Sequence, residues 1–76
     1  MHLELDIEHV AIDSSLLQSV GYSHEHGILE VRLCRGPVYR FFIVPEATFL
    51  ALLRAASKGH FFNQNVRGQY AFQQIA

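Results

Sequence analysis

The sequence has one cysteine, Cys34, so no internal disulfide can staple it. That removes the usual support of small secreted domains. It also lacks any run of about 18 consecutive apolar residues, the length a membrane-spanning helix needs, and no basic stretch precedes a long apolar one. These absences predict a soluble, cytoplasmic protein with no membrane partner. Charge is sparse, at 17% of residues, and the 6 bases are not clustered as in dedicated nucleic-acid binders. No Gly-rich loop follows a strand and opens a helix, since Gly59 and Gly68 flank a helical stretch instead. A phosphate loop is therefore excluded.

What is present is apolar and compact. Half of the 76 residues are hydrophobic, enough for a core and too many for a disordered chain. A chain of this length forms one domain, spanning 1–76, and buries only about 60–65% of its unfolded surface. The net charge of −1 hides an uneven distribution. Glu4, Asp6, Glu8 and Asp13 lie in the first thirteen positions, while the rest holds three acids against all six bases. The body is thus mildly basic behind an acidic N-terminal segment, which is compatible with nucleic acid and weak as evidence for it.

Periodicity organises the chain into strands followed by helices. Leu3, Leu5 and Ile7 alternate with Glu4 and Asp6, the pattern of a half-buried strand over 3–7. Asp13-Ser14-Ser15 is a turn cluster, and 16–22 reads as a second strand. Residues 28–34 place Leu29, Val31 and Leu33 inward, and the β-branched and aromatic run 38–44 makes a fourth strand. At Pro45 the period changes. Phe49, Leu52, Leu53 and Ala56 follow at helical spacing, predicting a helix over 45–57 with Gly59 as its left-handed stop. Residues 60–67 predict a short second helix, and Tyr70, Phe72 and Ile75 a tail that folds back. The expected fold is α+β: an antiparallel meander of three to four strands, with both helices on one face.

The stretch Tyr39-Arg40-Phe41-Phe42 sets three rings around one guanidinium, and the preceding hairpin decides where they point. A three-residue loop, Cys34-Arg35-Gly36 with Gly36 in the bulge position, sets Val31 opposite Tyr39 and Leu29 opposite Phe41. Tyr39, Phe41 and Ile43 then face the core, and Glu30 opposes Arg40 on the outside. A two-residue loop flips every side chain and turns the rings outward. Two-residue loops are Arg35-Gly36 or Gly36-Pro37; proline excludes the second as a type I′ turn, the first stays open, and the three-residue loop is preferred.

No catalytic constellation emerges, and no cofactor is implied. Cys34 ends a strand without a nucleophile elbow and reads as a small hydrophobe. His24 and His26 sit on one side of an extended segment, but zinc needs three or four ligands and no recognised spacing supplies them. They read as solvated turn residues, and no metal site is expected within one chain. A site shared by two chains stays open.

One polar segment remains, residues 57–70. In one reading Ser57 and Asn63 bond helix-end backbone groups and Arg67 pairs with an acid such as Asp13. In the other, Lys58 and Arg67 contact phosphates while Asn63 orients them. The first is the more economical.

Four runs carry a family resemblance: S-x-L-x-x-V-G-Y from Ser15 to Tyr22, L-E-V at 29–31, G-x-x-Y-x-F-F-x-V-P from Gly36 to Pro45, and A-x-S-K-G-x-F-F-N-x-x-V-R-G-x-Y from Ala55 to Tyr70. In order and spacing they resemble the KTSC domain, a small bacterial domain that also occurs at the C-terminus of some lysyl-tRNA synthetases. Residues 1–12 lie outside the resemblance. The family's aromatic-x-aromatic signature maps onto Tyr39 and Phe41, with the second hydroxyl lost, and its Gly-Tyr-Asp becomes Gly21-Tyr22-Ser23. The synthetase context implies RNA binding, and the residues themselves offer Tyr39, Arg40, Phe41, Lys58, Asn63 and Arg67 as its candidate contacts. The alternative is an interaction module, forming a weak homodimer through the N-terminal strand.

Overall fold

The computed structural model describes residues 5–76. It contains β1 (Val10–Ala11), β2 (Leu17–Ser23), β3 (Ile28–Leu33), β4 (Val38–Phe41), α1 (Glu46–Arg54), α2 (Lys58–Asn65) and β5 (Phe72–Gln74). The strands form one antiparallel sheet in the order β1-β2-β3-β4-β5. No helix among the described residues is long and apolar enough to cross a membrane.

The β3–β4 hairpin has the three-residue loop. Gly36 donates to Leu33 O and Leu33 to Pro37 O, both at 2.9 Å, and Gly36 takes φ 108°. Only glycine adopts that angle without strain. Leu29 accordingly pairs with Phe41, Glu30 with Arg40, and Val31 with Tyr39. In β2 a bulge between Leu17 and Ser19 resets the alternation. Leu17 and Val20, three apart, therefore both point inward and are fully buried. They join Leu29, Val31, Phe41, Val44, Leu52, Phe62 and Val66 in the core under the two helices. Burying a side chain the size of Leu52 or Phe62 contributes about 1.5–3 kcal/mol.

Several boundaries differ from the sequence reading. The expected strand 3–7 falls partly outside the described residues, and 5–7 are not in a strand; the edge is β1 instead. Segment 5–9 crosses the sheet's outer face. There Arg40 Nη2 donates to Leu5 O at 2.5 Å, and the chain passes directly over Gly21. The Glu30–Arg40 pair forms at 2.6 Å, but that strap covers it and leaves Glu30 only 7% exposed. Helix α1 ends at Arg54 rather than 57, because Ser57 caps α2 by accepting from His60 N. Gly59 is not a left-handed stop: it lies in the first turn of α2, where a side chain would press on Leu16 and Ser14.

Ile43 departs furthest from expectation. β4 ends at Phe41, and Ile43 is 87% exposed with φ 56° instead of facing the core. The chain must leave the sheet for α1 while Val44 N–H bonds Gly27 O at 2.9 Å, and the kink falls between. A β-branched residue is strained in this region by about 1–2 kcal/mol. Ile43→Gly is therefore expected to stabilise the protein by about 1 kcal/mol, since no buried surface is lost. Thermal unfolding should shift upward by about 4–8 °C per kcal/mol for a domain this size. An unchanged or lower midpoint would mean that Ile43 is not strained.

Candidate functional site

The six residues singled out by sequence occupy three separate places. Tyr39, Phe41 and Arg67 meet at a recess of about 180 Å3, completed by Phe62, Gly68 and Phe72. Lys58 and Asn63 border a polar groove with Ser14, Ser57 and His60 at the start of α2. Arg40 lies on the opposite face of the sheet, held by Glu30 and by Leu5 O.

The recess follows from strand alternation and from the tail folding back. β5 pairs Phe72 with Phe41 and Gln74 with Tyr39, so Phe72 joins the helix-side face. Backbone bonds hold the tail along β4: Ile75 N–H to Val38 O at 2.8 Å, and Phe42 N–H to Ala71 O at 2.9 Å. Phe41 and Phe62 form the floor, edge to face at 5.6 Å, and both are buried. Tyr39 is half-buried and meets Phe72 edge to face at 5.7 Å. Phe72 is 59% exposed, so it is the ring that offers a free surface.

Arg67 places its guanidinium 5.2 Å from the centre of the Phe62 ring, a cation–π contact. It makes no ion pair among the described residues, so the expected pairing with Asp13 is not observed. Lys58 Nζ instead donates to Ala55 O at 2.9 Å, at the end of α1. Ser57 caps α2 as the economical reading expects, but the side chain that bonds a helix carbonyl is Asn65, to Phe61 O, not Asn63. The arrangement provides an apolar aromatic floor, one exposed ring and one cation, which suits a planar ligand with negative charge nearby.

Elsewhere the polar groups hold the fold. Tyr22 donates to Val44 O at 2.5 Å and stacks on Phe49 at 5.2 Å. Burial, and then the Glu46 carboxylate, push its phenol above the ordinary value, so it remains a donor. His24 Nδ1 lies 2.8 Å from Glu46 at the surface, and His26 bonds Ser23 Oγ. No three His, Cys, Asp or Glu side chains converge on a metal position among the described residues.

Sequence reasoning missed Phe72 as a site residue. Its only signal was the apolar-polar step from Phe72 to Gln73, too short a pattern to mark a three-residue strand.

Comparison with known proteins bears on the family and the fold. A protein of Stutzerimonas stutzeri (strain A1501), described as uncharacterised, is 44% identical over 64 residues, covering 84% of this chain and 90% of its own. A lysine–tRNA ligase of Nostoc punctiforme is 30% identical over 64 residues, 84% of this chain but only 11% of the ligase. The crystal structure of a KTSC domain protein from Yersinia pestis superposes with a TM-score of 0.88 at 28% identity, covering 93% of this chain and all of that one. Residues 13–70 match the KTSC domain itself. With most of its length so matched and the same fold beneath it, this chain belongs to the KTSC domain family.

Proposed function

We propose that this KTSC domain is a binding module for single-stranded RNA, in which one base stacks at the aromatic recess and Arg67 meets the backbone. The observation that carries the reading is the exposed Phe72 ring beside a guanidinium with no ion pair among the described residues, over a floor of buried aromatics. Such stacking platforms bind single strands without needing a dense basic patch. The related segment in a lysine–tRNA ligase, a protein that acts on an RNA, supports the same direction. The reading contains no catalytic step.

Phe41, one of the RNA-binding candidates named from sequence, lies in the core, so the ring that stacks is Phe72. Phe72→Ala is expected to weaken binding of a short single-stranded RNA by about 1 kcal/mol, the low end of what one stacked base contributes. Lys58→Ala should matter less, because that side chain lies outside the recess. If Arg67 alone meets phosphate, the slope of log K against log salt should be near −0.7. Fluorescence anisotropy at low salt checks both quantities. Equal losses from the two substitutions would reject stacking at the recess, and absence of binding would reject the RNA reading.

A second reading, a protein-interaction module, is favoured by the outer edge of β5. Phe72 and Ile75 are exposed there beside Gln73 and Gln74, with no charge to discourage strand pairing. The N-terminal dimer edge imagined from sequence is weakened, because residues 5–9 lie folded over their own sheet. Sedimentation showing a concentration-dependent dimer would favour this second reading.

A further inference from the structure

Resting on that single-strand reading, we infer that the recess is a pyrimidine subsite. It seats one single-ring base against Phe72, with Arg67 directed at the base's carbonyl oxygens or the adjoining phosphate.

Size is the first argument. The recess holds about 180 Å3, well under the roughly 300–1,000 Å3 of sites that take whole drug-sized ligands. An apolar cavity of about 150 Å3 accommodates one benzene. The space therefore matches one six-membered ring, and the second ring of a purine must either displace Tyr39 or stay outside.

The walls give the second argument. Phe41 against Phe62 and Tyr39 against Phe72 both meet edge to face, at 79° and 74°. No parallel pair of rings stands ready to sandwich a large base between two faces. One exposed ring, Phe72, supplies one stacking surface.

The third argument is the polarity of the only charged group in the lining. Arg67 is donor-only, so the ligand edge it meets must present acceptors. Uracil and cytosine carry carbonyl oxygens on their ring edge. Adenine offers only ring nitrogens as acceptors, while guanine carries one carbonyl oxygen and is separated from the pyrimidines by size alone. An apolar peptide ring fits the space equally well but leaves the guanidinium without an acceptor.

The test compares oligouridylate, oligocytidylate and oligoadenylate of about ten nucleotides, within the usual site size for single-strand binders. Both pyrimidine strands should bind about ten-fold tighter than oligoadenylate, at the lower end of what exclusion by pocket size achieves. Tyr39→Ala widens the recess and should bring the oligoadenylate affinity toward the others. On the unaltered protein, uridine monophosphate should shift the amide signals of Arg67, Gly68 and Phe72 at concentrations where adenosine monophosphate does not. Mononucleotides also remove the self-stacking that stabilises free oligoadenylate and so weakens its binding.

Equal or tighter binding of oligoadenylate would overturn the pyrimidine assignment while leaving the single-strand reading intact. So would a preference that survives Tyr39→Ala unchanged with no discrimination between the mononucleotides, because it would originate in the free strand. If no oligonucleotide binds and an aromatic peptide does, the parent reading fails and the subsite with it.

Discussion

Glu30→Ala is expected to destabilise the protein by about 3 kcal/mol. Glu30 is 7% exposed and accepts from Arg40 Nε at 2.6 Å and from His9 Nε2 at 2.5 Å. Removing the carboxylate leaves the Arg40 guanidinium with Leu5 O alone, and the His9 imidazole with Ser19 Oγ alone, beneath the 5–9 strap. Breaking a buried pair from one side costs about 3–5 kcal/mol, because the surviving charge is desolvated and uncompensated. The low end applies, since the Arg40 and His9 side chains each keep 20% of their surface in water. For a domain whose whole stability is about 0.05–0.15 kcal/mol per residue, that is a large fraction.

Glu30→Leu combined with Arg40→Leu should recover much of the loss, because replacing both members of a buried pair by apolar groups is often neutral. Urea unfolding of the single and double variants measures the coupling directly. A loss under about 1 kcal/mol from Glu30→Ala would mean that the pair behaves as a surface salt bridge.

The second large effect comes from a single methyl group. In Gly21→Ala the added carbon collides with the carbonyl oxygen of Glu8 and comes within 2.7 Å of Ile7 Cγ2. The obstacle is backbone, so no side-chain rotation relieves it. Overpacking of this kind costs about 1–3 kcal/mol, and the upper half is expected because the strap must lift. Lifting it also pulls Leu5 O from Arg40 and His9 from Glu30.

The sign is the informative part. Glycine-to-alanine changes without a steric conflict stabilise by about 0.4–1 kcal/mol, through the unfolded chain. Gly21→Ala should therefore destabilise the full chain by about 2–3 kcal/mol and speed proteolysis of the N-terminal segment. In a chain truncated before Val10 it should be neutral or slightly stabilising. Stabilisation of the full chain would show that the strap does not lie on β2.

Much of the fold was legible because its signals are local. Gly36 after Cys34-Arg35 specified the three-residue hairpin, and that loop sets the register pairing Val31 with Tyr39 and Leu29 with Phe41. The apolar spacing of Phe49, Leu52 and Leu53 marked α1, and the change of period at Pro45 marked where that helix begins. The order and spacing of four short runs carried the family.

Only the tertiary structure decided what depends on distant segments meeting. Glu30 and Arg40 alternate outward in sequence, yet the crossing of residues 5–9 buries the pair, and no periodicity within β3 or β4 carries that information. Ile43 continues the inward alternation on paper. It points to solvent because the bond from Val44 to Gly27 forces the chain to turn there. The candidate site divides the same way. Tyr39, Phe41 and Arg67 could be named from their residue types and the hairpin. Their separation from Arg40, Lys58 and Asn63 depended on which face each element covers. That Phe41 sits in the floor while Phe72 stands exposed follows from a three-residue strand held mainly by backbone bonds to β4. Backbone hydrogen bonding is blind to side-chain type, so no residue pattern announced where the tail would land.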